Sequence, residues 1–149
     1  AIIGKAINIL VFGCKGTVIP STVTKIGNFA FYESNIETIT ITSNIIEVGD
    51  TMLFNGSKLK TLIINNKVID FNRIAFLFGA DRLETIVCDN ESFWTKPDFE
   101  DNNYSSFEAS SIKNLYIPQG ITPADGLLDG FTKQATSDRE GYELWTKNA

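Results

Sequence analysis

The stretch Ile36-Glu37-Thr38-Ile39-Thr40-Ile41 decides how this chain is read, because it returns three times. It recurs as Leu59-Lys60-Thr61-Leu62-Ile63-Ile64, as Leu83-Glu84-Thr85-Ile86-Val87-Cys88 and as Ile112-Lys113-Asn114-Leu115-Tyr116-Ile117. The starts lie 23, 24 and 29 residues apart. A weaker copy, Cys14-Lys15-Gly16-Thr17-Val18-Ile19, precedes them by 22. Apolar residues hold the first, fourth and sixth places of the four strong copies, and the copy at Ile36 runs on to Asn44.

Further columns keep step. An aromatic stands five residues before each strong copy, at Phe31, Phe54, Phe78 and Phe107, and Phe131 continues the series into a fifth, decaying unit. A β-branched residue stands four places after the last apolar position, at Val23, Ile45, Val68 and Ile121. A unit of about 22–24 residues cannot bury its own apolar face, so repeats of this length stack. Stacking pairs each strand with the next and sends the apolar places inward. The expected architecture is a right-handed solenoid with a parallel sheet on one face and loops or short helical turns on the other.

The outward places fit that register. Lys15, Glu37, Lys60, Glu84 and Lys113 follow the first apolar place of successive copies, so charges of opposite sign neighbour one another at about 4.8 Å per strand. Gly16, Thr38, Thr61, Thr85 and Asn114 form the next column. Both columns read as structural, each exposed ion pair contributing roughly 0–1 kcal/mol.

One segment carries a resemblance. Gly13 to Phe31, with Ile19-Pro20, Val23, Ile26-Gly27 and Ala30-Phe31, followed by Ile36, Ile39 and Ile41, resembles the BspA-type leucine-rich repeat family. Later copies match in part, at Val48-Gly49, Leu53-Phe54, Ile117-Pro118 and Ile121. The departures are Asn72 where a glycine is expected, no cysteine after the aromatic column, and the long fourth unit. The resemblance implies a leucine-rich-repeat solenoid. It also implies a bacterial or protist protein, extracellular or on the cell surface, that engages a protein or glycan on a host or neighbouring cell.

The 149 residues suffice for one domain with a sizeable core. The expected domain is 1–149, of about five coils, with an insertion at 89–106 and a cap or tail at 132–149. Patterned sequence at both ends suggests a piece of a longer protein. No stretch approaches the ~18 apolar residues of a membrane span, so direct membrane insertion is not expected. With 13 basic and 18 acidic residues the net charge is −5, against the basic footprint of nucleic-acid binders. The chain has no histidine, which excludes a Ser-His-Asp triad, a Cys-His dyad and His-ligated metals. No nucleotide-binding or nucleophile-elbow motif is present. Neither catalysis nor a cofactor is implied. Cys14 and Cys88 both occupy apolar places, roughly 14 Å apart in the stack, and are expected to be free, buried thiols.

Two candidate sites remain. Val18, Thr40, Ile63, Val87 and Tyr116 form the outer column between the second and third apolar places. An exposed apolar stripe there is a binding face, a product of β-propensity alone, or a surface that the C-terminal tail covers. The insertion offers Phe93, Trp94, Phe99 and Tyr104, either as exposed contacts or as core anchors of a wider coil. Its Asp98, Glu100, Asp101, Asn102 and Asn103 match no EF-hand spacing, and no metal site is assigned. Asp125-Gly126-Leu127-Leu128-Asp129-Gly130 reads as turn chemistry, and Tyr142-Glu143-Leu144-Trp145 as an edge strand or docking tail that caps the last coil. The expected function is non-enzymatic recognition or adhesion. The alternative is a structural element such as a spacer or a virion or tail component.

Overall fold

In a computed structural model, which describes residues 2–4, 9–13, 18–49, 51–71, 73–97, 107 and 111–149, the chain forms two sheets and two short helices. The strong copies supply β4 (Thr38–Ile41), β6 (Thr61–Ile64), β7 (Thr85–Cys88) and β8 (Asn114–Pro118). These pair in parallel and in register, Ile39 with Leu62, Leu62 with Ile86 and Ile86 with Leu115. Every apolar place in these four copies is buried. The coils are also tied by shared carbonyls. Lys60 and Thr61 N–H donate to Glu37 (2.9 and 3.0 Å), Glu84 and Thr85 to Lys60 (2.8 and 3.0 Å), and Lys113 and Asn114 to Glu84 (2.8 and 3.0 Å). The result is a solenoid-like stack in which each unit leans on its neighbour.

The first copy differs from expectation. Cys14, Lys15, Gly16 and Thr17 lie outside the described residues, and Val18 is 84% exposed beyond any strand. Among the described residues β4 is therefore the edge of the sheet.

The opposite side is a second correction. The early coils carry β2 (Ile9–Phe12), β3 (Lys25–Ile26) and β5 (Glu47–Val48), paired in parallel, with β1 (Ile2–Gly4) antiparallel on β2. Lys25 and Glu47 form an ion pair across this sheet at 3.1 Å. Such close stacking needs Gly49, where a Cβ would stand 2.4 Å from Asn28 Oδ1 and 2.5 Å from its backbone nitrogen. The third coil has Asn72, which lies outside the described residues, at the matching place in the sequence, and its next element is α1 (Arg73–Leu77). The fourth coil has α2 (Glu91–Thr95). So the second face is sheet first and helical turns later.

Two columns slip in the third coil. Phe78 is 56% exposed, and Phe76 takes its place against Phe54, with centroids 5.3 Å apart. Phe78 follows the last residue of α1, and two residues of helix turn a side chain by about 200° from the core. Val68 is 86% exposed while Ile69 is buried. The cause is Asn66, whose Oδ1 accepts from both Val68 and Ile69 N–H at 3.1 Å and accommodates one extra residue.

That asparagine belongs to an internal ladder. Asn44 Nδ2 donates to the Val23 carbonyl (2.6 Å), Asn66 to Thr42 and Ile45 (2.9 and 2.7 Å), and Asn90 to Asn66 and Ile69 (2.8 and 2.7 Å). Each amide satisfies carbonyls of the preceding coil where the backbone turns through the core. Ser34 and Ser57, at the positions of the missing cysteines, accept the amides of Ile36 and Leu59 at 3.4 Å.

The core is threaded by aromatics in contact. Phe31 stacks on Phe54, and the chain continues through Phe76, Phe71, Phe93, Trp94 and Phe107 to Phe131. The C-terminal segment extends the main sheet: β10 (Tyr142–Lys147) pairs antiparallel with β8, and β9 (Phe131–Lys133) pairs with β10. Tyr142-Trp145 thus lies inside the sheet, and the short β9 becomes the edge. Trp145 packs against the core. No helix among the described residues is long and apolar enough to cross a membrane.

Candidate recognition surface

Strand alternation turns Thr40, Ile63, Val87 and Tyr116 to the face opposite Ile39, Leu62, Ile86 and Leu115. The register places them side by side, Thr40 with Ile63, Ile63 with Val87 and Val87 with Tyr116. Leu144 of β10 continues the row beside Tyr116. Thr40, Ile63, Tyr116 and Leu144 are half-buried. Val87 is only 1% exposed, so as a candidate contact it is corrected to a filler between its neighbours. Val18, exposed but outside the sheet, does not join the row.

A second row, Thr38, Thr61, Thr85, Asn114 and Thr146, runs parallel to the first. Asn114 Nδ2 donates to Thr85 Oγ1 at 3.2 Å. Beyond it, Lys113 and Glu84 form the one rung of the predicted charge column that closes as an ion pair among the described residues (3.5 Å). The face therefore presents apolar, hydroxyl and charged rows on a rigid frame.

The C-terminal hairpin meets this face at one end. Tyr116 OH donates to Asp138 (2.8 Å), and the Arg139 guanidinium lies 5.2 Å from the Tyr116 ring centre. Burial, aided by the Asp138 carboxylate, raises the Tyr116 phenol above its ordinary value. Tyr142 is raised as well, by burial first and by the Asp89 carboxylate second. Glu143 ends below the ordinary carboxylate range. Its burial acts to raise it, but the bonds from Lys133 (2.9 Å) and the Trp145 indole (3.2 Å) outweigh that. Asp138 and Arg139 lie in the polar segment where the sequence showed no pattern. Only the alternation of Tyr142-Trp145 hinted that a strand would bring them back to the sheet.

The insertion resolves differently. Phe93 and Trp94 are fully buried in α2, which corrects their candidacy as surface contacts. Asn90 caps that helix, its Oδ1 accepting from Phe93 N–H (3.1 Å), and the Trp94 indole donates to the Cys88 carbonyl (2.9 Å). Both rings are thereby held in the core. Phe99 and Tyr104, and the acidic run Asp98, Glu100, Asp101, Asn102 and Asn103, lie outside the described residues. Cys88 is a free, buried thiol, and burial pushes it far above its ordinary pKa. Cys14 lies outside the described residues.

Comparison with known proteins gives one match. The sequence model of the BspA type leucine rich repeat region fits residues 13–126, in six copies. No curated protein and no solved structure matches the chain.

Proposed function

The chain belongs to the BspA-type leucine-rich repeat family, and from that premise we propose that it is a non-enzymatic recognition module whose main sheet docks a protein partner. Its setting is a bacterial protein that is secreted or held at the cell surface, with adhesion as the biological outcome. A right-handed winding of the coils accords with the general preference of parallel crossovers. One observation carries the reading: Thr40, Ile63, Tyr116 and Leu144 form an in-register, half-exposed row on a sheet whose other face buries Ile39, Leu62, Ile86 and Leu115. A rigid apolar row flanked by hydroxyls suits a protein surface, because desolvating it requires no reordering of the frame.

The test has two arms. Antibody labelling of this segment on intact source cells, against lysed controls, is expected to be positive; signal only after lysis contradicts a surface role. Immobilised chain is then offered to extracellular and cell-surface proteins. Wild type should retain a partner that Ile63→Glu loses while melting as wild type does; retention by both contradicts the sheet-face reading.

A further inference from the structure

Two cavities flank the C-terminal hairpin, of about 540 and 430 Å3. They share Gln119, Gly141 and Tyr142, so they adjoin as one groove at that tyrosine. Each volume falls in the range of small-molecule sites, roughly 300–1,000 Å3. Gly141 has φ +80°, which only glycine adopts freely, and a Cβ there would meet nothing within 4 Å.

The chemistry of the walls narrows the ligand. In the larger cavity Lys133 is paired with Glu143, and Glu143 also accepts from the Trp145 indole. In the smaller one Lys67 lines the same space as Asp89 and Glu91. With Arg139 and Glu140 also on the walls, three cationic and four anionic side chains line the two cavities, so the lining is near neutral with a slight excess of carboxylates, which disfavours a phosphate or sulfate. What remains is hydrogen-bonding capacity beside an aromatic face. The Gln119 side-chain amide has no protein partner among the described residues, while its backbone N–H is held by Gly141 at 2.9 Å. Thr136 adds a hydroxyl, while that of Ser137 is engaged with the Arg139 backbone at 3.2 Å, and Tyr142 supplies a half-buried ring with an apolar body and a polar tip. Neither cavity is lined mainly by apolar side chains.

We infer that this groove is a second binding site, separate from the sheet row, for a neutral, hydroxyl-rich ligand: an uncharged oligosaccharide with one ring against Tyr142 and its hydroxyls on Gln119 and the hairpin. The inference does not depend on the sheet-face reading, since none of its residues lies in that row except Leu144 at the margin.

The full chain is to be screened on a printed library of neutral oligosaccharides, with sialylated and sulfated ones alongside. Hits are titrated in solution, read by the fluorescence of Trp145, whose indole bonds a groove carboxylate. A neutral oligosaccharide is expected to bind, with Tyr142→Ala and Gln119→Ala each weakening it about tenfold or more, and Ile63→Glu leaving it unchanged. Gln119 is an exposed turn residue, so Gln119→Ala keeps the test decisive if Tyr142→Ala fails to fold. Absence of any neutral hit, preference for the anionic set, or binding that survives both groove variants would overturn the inference. Loss on Ile63→Glu alone would move glycan binding to the sheet and overturn the groove.

Discussion

The two faces of the main sheet share one register and differ in what that register decides. On the inner face Leu62, Ile86 and Leu115 are fully buried, and beyond the strand ends the asparagine ladder bonds each coil to the one before. On the outer face the same spacing holds Thr40, Ile63, Val87 and Tyr116, one polar and three apolar residues of different size. The inner columns are constrained by packing and by carbonyls that must be satisfied. On the outer face Val87 is packed between its neighbours and Tyr116 is tied to Asp138, while Thr40 and Ile63 are held only by the need to suit a pleated surface. On the proposed reading, stability and recognition are separated by a single step along each strand.

The comparison can be broken most forcefully at the core. Trp94→Ala removes the largest fully buried side chain and the bond to the Cys88 carbonyl, and should cost about 3–5 kcal/mol in chemical denaturation. A loss under about 1 kcal/mol would mean that the insertion does not anchor the fourth coil. Phe76→Ala should cost a similar amount, whereas Phe78→Ala, two residues on and exposed, should stay within about 0.5 kcal/mol. The reverse result would restore the unslipped column.

Asn90→Ala probes the ladder. It strands the Asn66 and Ile69 carbonyls and uncaps α2, at a cost of about 2–4 kcal/mol. Cys88 offers a pH test of the same interior. Its folded pKa lies above the unfolded value, so its contribution is intact below about pH 9 and is lost as the pH rises and the unfolded thiol ionises. Stability should fall above that pH by up to about 1.4 kcal/mol per unit, and Cys88→Val should flatten the slope relative to wild type. The smallest effect belongs to the outer surface. Lys113→Ala breaks the exposed pair with Glu84 and should cost well under about 1 kcal/mol by thermal melting.

The spacing of the strong copies was enough to reveal the parallel sheet, its register and the burial of the first, fourth and sixth places of each copy, because a stacked repeat has only one way to bury them. The slips in the third coil were not legible. Val68 and Ile69 are both β-branched, and only the bonds of Asn66 decide which turns inward. Phe76 and Phe78 are likewise equivalent until a helix sets their direction. The second sheet depended on Gly49 permitting close approach, a contact between residues over twenty apart. At the candidate sites the outer row was legible from alternation. The hairpin that brings Asp138 and Arg139 to Tyr116 was not, since an antiparallel return carries no period.

Leu62 and Ile63 are neighbours on β6, one facing the core and one facing outward. Thermal melts of Leu62→Ala and Ile63→Glu therefore test the division of the two faces most directly. The expected result is a fall on the order of 10 °C for Leu62→Ala and a change within about 2 °C for Ile63→Glu, despite the buried methyls lost in one and the charge added in the other. A collapse of Ile63→Glu with Leu62→Ala little changed would contradict the register and the recognition surface built on it.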